Sequence, residues 1–332
     1  DGSKFKAVNN RDRNFTRAKM KRRIAEADAT IEHYLQQLAE ADRQEPDEDR
    51  NRGLEDKVAS LKKEMARLKK VEARLLKAPG QQISLTDPDA RSMKSRGAGV
   101  VGYNVQTAVD TKHHLIVTHE VTNQGSDRRQ LANMAKQAKS VIATEELTAV
   151  ADRGYYRSEE LRDCAEANIE TYLPKPKTSP NRAKGQFDRD AFRYIAEDNE
   201  YECPAGQRLV HHMTTQQQGK TIHAYWTYKC RYCDIKAQCT SGAYRKMTRW
   251  EHEAVLEKAQ ARLDRSPDMM RIRRATVEHP FGTLKAWMGS THFLTRTLDR
   301  VSTEMSLHVL AYNMKRMMNI FGTKPLIEAM GA

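Results

Sequence analysis

The chain has 332 residues, with 57 lysines and arginines against 44 acids and a net charge of +13. That length holds a sizeable core and one to three domains, and the charge fits a polyanionic partner, nucleic acid first. No apolar run approaches the roughly 18 residues of a membrane span and no export signal is visible; five cysteines, four of them clustered, point to metal or free thiols rather than disulfides.

The first residue is Asp1 rather than methionine, and the expectation is a piece of a longer protein. Asp1-Gly2-Ser3-Lys4-Phe5-Lys6-Ala7-Val8 predicts the end of a strand, with Phe5 and Ala7 alternating against lysines. By composition alone Asp1 is a terminal residue. From about 15 to 77 helix formers dominate, broken by an acidic turn at 44–49. Ile24, Ile31 and Leu38 repeat every seven residues before it; Leu54, Val58, Leu61, Met65, Leu68 and Leu75 keep a 3–4 spacing after it. This predicts an antiparallel coiled-coil hairpin, for DNA contact, dimerisation or support.

A turn carrying Asp87 and Asp89 and a glycine-rich link lead into a predicted β-hairpin, 103–109 and 115–121. Its turn makes Asp110 first of all a turn residue, with His113 and His114 beside it. A helix over 129–143 precedes a buried strand, 147–151, that ends in Asp152-Arg153-Gly154. An acid there suits either a metal-binding carboxylate or a turn cap. Ser158 caps the next helix, with Glu159 and Glu160 in its first turn. A strand at 169–173 and a basic, proline-rich link at 174–177 follow.

Cys203, Cys230, Cys233 and Cys239 read C-x26-C-x2-C-x5-C. Four thiolates close a tetrahedral site, so the pattern predicts structural Zn²⁺ with no open catalytic position; the alternative is a β-rich insertion with reduced thiols. Cys164 stands apart, as a core residue. Further on, Arg274, Glu278 and Lys285 recur on a segment whose Val277, Phe281 and Leu284 have helical spacing, with Pro280 and Gly282 warning of a kink or a late start. A carboxylate flanked by two cations suits metal-dependent phosphoryl transfer, and equally a salt bridge on a solvated helix face. The stretch 301–321 predicts a final amphipathic helix.

The order strand with Asp, strand, strand, helix, strand with Asp, helix, strand, insertion, helix with Glu resembles an RNase H-like domain. Over essentially its whole length the sequence is similar to the DDE transposases of bacterial insertion sequences, in the branch with a Tyr-x2-Arg-x3-Glu-x6-Lys signature. Arg274, Glu278 and Lys285 match it; Arg271 stands where the signature has tyrosine. Asp152 in VADRGYY and Asp1 in DGSK match the second and first aspartates. The resemblance implies an RNase H-like mixed sheet flanked by helices: catalytic domain at 1–12, 80–180 and 249–332, helical hairpin at 13–79 and zinc insertion at 181–248. It implies Asp1, Asp152 and Glu278 holding two Mg²⁺ (or Mn²⁺) ions for in-line cleavage and strand transfer, with Arg271, Arg274 and Lys285 on DNA phosphates. Asp87 and Asp89, then Asp110, are the substitutes for Asp1. Implied partners are duplex DNA (terminal inverted repeats and target) and a second copy in a synaptic homodimer, in the bacterial cytoplasm at the nucleoid, with no membrane. The alternative is a transposase-derived DNA-binding protein without catalysis; a non-transposing nuclease of the same fold fits the Arg-Glu-Lys spacing less well.

Overall fold

A computed structural model describes residues 1–41, 48–95, 98–176 and 179–331. The turn expected at 44–49 falls largely outside these, as do Gly97 of the glycine-rich link and Lys177 of the basic link. In chain order the elements are strands β1 (Gly2–Lys6) and β2 (Asn14–Thr16), helices α1 (Arg17–Ala41) and α2 (Glu48–Lys77), and strands β3 (Gln82–Ser84), β4 (Arg91–Ser95), β5 (Ala98–Val109) and β6 (Ile116–Thr122). Then come α3 (Leu131–Ile142), β7 (Leu147–Val150), α4 (Ser158–Glu166), β8 (Ile169–Tyr172), α5 (Pro180–Ala183), β9 (Arg193–Ile195), β10 (Glu200–Glu202), β11 (Arg208–Gln217), β12 (Lys220–Trp226) and β13 (Met247–Trp250). Helices α6 (Glu253–Arg265), α7 (Met269–Gly282), α8 (Leu298–Phe321) and α9 (Thr323–Met330) complete the chain. It divides into two compact units, Asp1–Ser126 with Thr276–Ala332, and Asp127–Ala275.

In the first unit β5 is the spine. One of its edges pairs antiparallel with β4 and then with β1, the other with β6. Gly102 sits where β4 gives way to β1, and a Cβ there would lie 1.9 Å from the Phe5 carbonyl oxygen, so only glycine lets the strands close. Phe5, Tyr103 and Val105 bury against Leu284, Val301, Met305 and Tyr312, which lays α8 over the sheet. Helices α1 and α2 lie against one another. Met20 and Ile24 pack with Leu68, Val71 and Leu75, while Lys57 lies over the Tyr34 ring. Early α1 meeting late α2 makes the pair antiparallel, and the β2–β3 ladder closes its base.

In the second unit β7 and β8 form a parallel pair joined through α4, as a strand–helix–strand crossover requires. Leu131, Leu161, Ile169, Trp250 and Leu256 form its core. The insertion is a five-stranded antiparallel sheet in the order β13-β12-β11-β10-β9, closed over Tyr201, Leu209 and Tyr225. The mixed α/β composition is consistent with an RNase H-like fold. Within the first unit the ladders join β1, β4, β5 and β6 into a four-stranded antiparallel sheet, and within the second β7 and β8 form a parallel pair. Among the described residues, the four-residue strands β7 and β8 form ladders only with each other.

Candidate active site

Asp1 continues the β1–β5 ladder: its amino group donates to the Thr107 carbonyl at 2.6 Å, and the Thr107 amide returns a bond to the Asp1 carbonyl at 2.8 Å. The turn after β5 lies just past this point. There the Asp110 carboxylate accepts from the Lys112 and His113 amides, so it shapes the turn, in line with its expected role. His114, at the end of the turn, stacks on His279 with ring centroids 5.3 Å apart. The Tyr312 hydroxyl donates to the His114 carbonyl at 2.6 Å and lies 3.0 Å from His279 Nδ1. His279 follows Glu278 directly, so these contacts hold this part of α7 against the turn after β5, with Glu278 itself exposed. Burial, the Arg316 guanidinium and the stacked His114 together hold His279 below the usual imidazole range.

Helix α7 runs through Pro280 instead of breaking there; it then relaxes into a π-helical turn at Thr283–Trp287. A proline removes one helical N–H and crowds the preceding turn, and a wider turn after it accommodates both effects. The π turn carries Lys285 onto β1. Its ammonium donates to Ser3 Oγ at 2.6 Å and the Lys4 carbonyl at 2.9 Å, and it lies 4.3 Å from the Phe5 ring centroid. These contacts make Lys285 a strap between the glutamate segment and the strand of Asp1; a phosphate contact would have to use what remains of its donors.

Asp87 and Asp89, the substitutes for Asp1, are engaged elsewhere. Asp87 is fully buried, with both oxygens 2.9 Å from the Tyr103 hydroxyl and one also accepting from the Thr297 amide. Asp89 accepts from the Leu298 amide at 2.9 Å. The two carboxylates satisfy the first free amides of α8 at its positive end. Burial, and then the bond to Asp87, push the Tyr103 phenol well above its usual range. Both acids hold α8 to the segment before β4.

In the second unit, Asp152 lies two residues beyond β7 and caps the following turn. Its Oδ1 accepts from the Gly154 amide at 2.7 Å, and its Oδ2 lies 3.4 Å from an Arg273 guanidinium nitrogen. A Cβ on Gly154 would approach Oδ1 to 2.8 Å, which explains the glycine after the aspartate. Asp152, Arg153, Gly154, Pro174, Met270, Arg273 and Arg274 line one open cleft. Arg273 was missed as a site residue: within the basic run of α7 nothing in the sequence separates it from Arg271 and Arg274. Arg271 points to solvent beside Asp268, 3.5 Å away.

Asp152 stands in an open cleft with Arg153, Arg273 and Arg274 around it, a setting that suits contact with phosphate. A model of the family described as "Transposase DDE domain" matches residues 70–314. The chain belongs to the DDE transposase family. Neither the curated proteins nor the solved structures contain a significant match. Family membership makes transposition its general function, DNA its partner and nucleic-acid cleavage with transfer its chemistry, and such transposases use divalent metal ions such as Mg²⁺. No described helix of this transposase domain is long and apolar enough to cross a membrane.

Among the described residues no group of three or more His, Cys, Asp or Glu side chains is gathered for a shared ion. The donors still suit a hard cation. Asp152 is oriented by one N–H and already faces a positive charge in an open cleft, the role an ion would take. The four insertion cysteines line one small cavity with Phe187, Phe192 and Leu209. All are free thiols, and burial raises the Cys239 thiol above its usual range, Arg245 opposing and the other three cysteines adding to it. Cys164 is buried in the core, its thiol pushed up to about 12 by burial.

Proposed function

We propose that this transposase cleaves DNA at the ends of an insertion sequence and joins them to target DNA by in-line attack on phosphodiesters, with Asp1, Asp152 and Glu278 as its acidic triad. The observation that carries this reading is Asp152 in the arginine-lined cleft, with one oxygen fixed by Gly154. Asp1, Asp152 and Glu278 would hold Mg²⁺ or Mn²⁺. When bound, the metal supplies activation of a water or a DNA 3′-hydroxyl and charge neutralisation at the leaving oxygen.

The chain's own residues do the rest. Gly154 N–H fixes the rotamer of Asp152, the His279–Tyr312 contact fixes the turn bearing Glu278, and Lys285 straps that segment to β1. Arg273 and Arg274 offer planar donors to the non-bridging oxygens of the scissile phosphate, the arrangement in which guanidinium exceeds ammonium. Arg271 joins them by exchanging Asp268 for a backbone phosphate. Pairing two transposon ends calls for a homodimer. In the insertion, Cys203, Cys230, Cys233 and Cys239 line one small cavity without being gathered at ion-binding distance, and would close on a structural Zn²⁺ when it binds.

The test is strand cleavage and duplex binding measured side by side for Glu278→Gln and Asp152→Asn. Cleavage should fall at least about a thousandfold, the scale of losing electrostatic stabilisation of a transition state, while binding changes less than threefold. Equal loss of both, or full activity in either variant, sinks the triad. A wild-type chain that binds duplex DNA but never cuts it in Mg²⁺ or Mn²⁺ is instead a transposase-derived DNA-binding protein.

A further inference from the structure

Resting on that DNA-transposase reading, we infer that the base of the α1–α2 hairpin, with the cleft beside it, is a docking surface for the phosphate backbone of duplex DNA. Charge along the hairpin is polarised. Residues 17–30 and 61–77 carry twelve lysines and arginines against four acids, whereas 31–41 and 48–60 carry three against six. The antiparallel packing of Met20 and Ile24 on Leu68, Val71 and Leu75 brings the two basic halves side by side at the sheet end of the hairpin.

The apolar seam occupies one face of each helix, so the basic side chains project elsewhere. Arg17, Lys21, Lys69, Lys70, Arg74 and Lys77 are all exposed, and among the described residues none of the six has a carboxylate partner. Arg17/Lys21 and Lys70/Arg74 are like-charged pairs one helical turn apart, each a small destabilisation of the free helix that a bound polyanion would reverse. The adjoining cleft, about 510 Å³, opens between the hairpin base and the sheet. Lys6, Lys19, Asn9, Asn14, Gln82 and Ser92 line it, and no carboxylate does. Cations and neutral donors of this kind bind phosphodiesters regardless of base sequence. The hairpin is therefore an arm that grips DNA outside the catalytic cleft.

The experiment measures binding of the full chain to a short mixed-sequence duplex across about 50–200 mM salt, where each phosphate contact adds about 0.9 to the slope of log K against log salt. Arg17→Gln/Lys21→Gln and Lys70→Gln/Arg74→Gln should each lower the slope by about one to two, a roughly 5- to 30-fold loss at 0.15 M salt. Thermal stability should hold or rise, because like-charge repulsion is relieved. The distal pair Arg52→Gln/Lys57→Gln should leave the slope unchanged. Equal slopes for all three variants and wild type, with DNA bound, overturn the docking surface and leave the transposase reading standing. No duplex binding by wild type removes both. Loss of binding to anionic vesicles, with duplex affinity untouched, makes the base a membrane surface and overturns the inference.

Discussion

Gly154→Ala separates a positioning effect from a folding effect at Asp152. Gly154 has no left-handed backbone angle, so alanine brings no conformational strain; its single close contact is the Asp152 carboxylate, 2.8 Å from the new Cβ. Ordinary contact begins near 3.4 Å, so the carboxylate must swing by about half an ångström or more, lengthening or breaking the 2.7 Å bond from the Gly154 amide. That hydrogen bond reaches a half-exposed group, and its loss costs about 1 kcal/mol at most. Catalysis is far more sensitive, since misplacing a reacting group by about 1 Å costs on the order of a hundredfold. The expected result is a melting temperature within a few degrees of wild type and single-turnover DNA cleavage in Mg²⁺ lowered by about 10- to 100-fold. Duplex affinity should be unchanged. Wild-type cleavage by Gly154→Ala would refute the claim that this turn sets the carboxylate; an unfolded variant would show the glycine to be structural instead.

Three further outcomes follow from the same geometry. Asp87→Asn leaves the Tyr103 hydroxyl and the first amides of α8 poorly matched in a buried site, and should destabilise the chain by about 3 kcal/mol in urea unfolding; a change near zero would return Asp87 to the list of catalytic acids. Glu159, bonded first by Arg157 and also by Lys220, has its carboxyl lowered to about 2 from an ordinary 4.5. Its folded-state value is depressed, so its contribution is complete above the unfolded value of 4.5 and is lost as pH falls towards 2. Glu159→Gln should therefore flatten the acid limb of stability against pH over that window, and an unaltered limb would exclude the assignment. Removing metal with a strong chelator should lower the melting temperature and release one zinc per chain by elemental analysis; a protein isolated without zinc, and with equal stability after chelation, has only reduced thiols at Cys203, Cys230, Cys233 and Cys239.

Much of this chain could be read from local pattern. Heptad spacing in 24–75 needs only 3.6-residue periodicity to specify two packed helices, alternation at 103–121 specifies a hairpin, and Asp152-Arg153-Gly154 after an apolar run specifies a strand ending in a turn. Each signal lies within one element or its immediate neighbour. Asp87 and Asp89 could not be sorted from Asp1 in that way, because their partners Thr297 and Leu298 lie more than two hundred residues along the chain. For the same reason Lys285 looked like a free cation until the π turn after Pro280 set it on Ser3, and Arg273 looked like any other arginine of a basic helix.

The sequence by itself determined the kinds of elements, their order and the family to which the transposase domain belongs, since these rest on short-range periodicity and on residue types at fixed spacing. Only the tertiary structure decided which acids are sealed against amides and which face solvent, which cations are already engaged, and that the hairpin's two basic stretches meet at one end. Those depend on which distant segments share a contact, and burial and electrostatics are properties of the contact rather than of the residue.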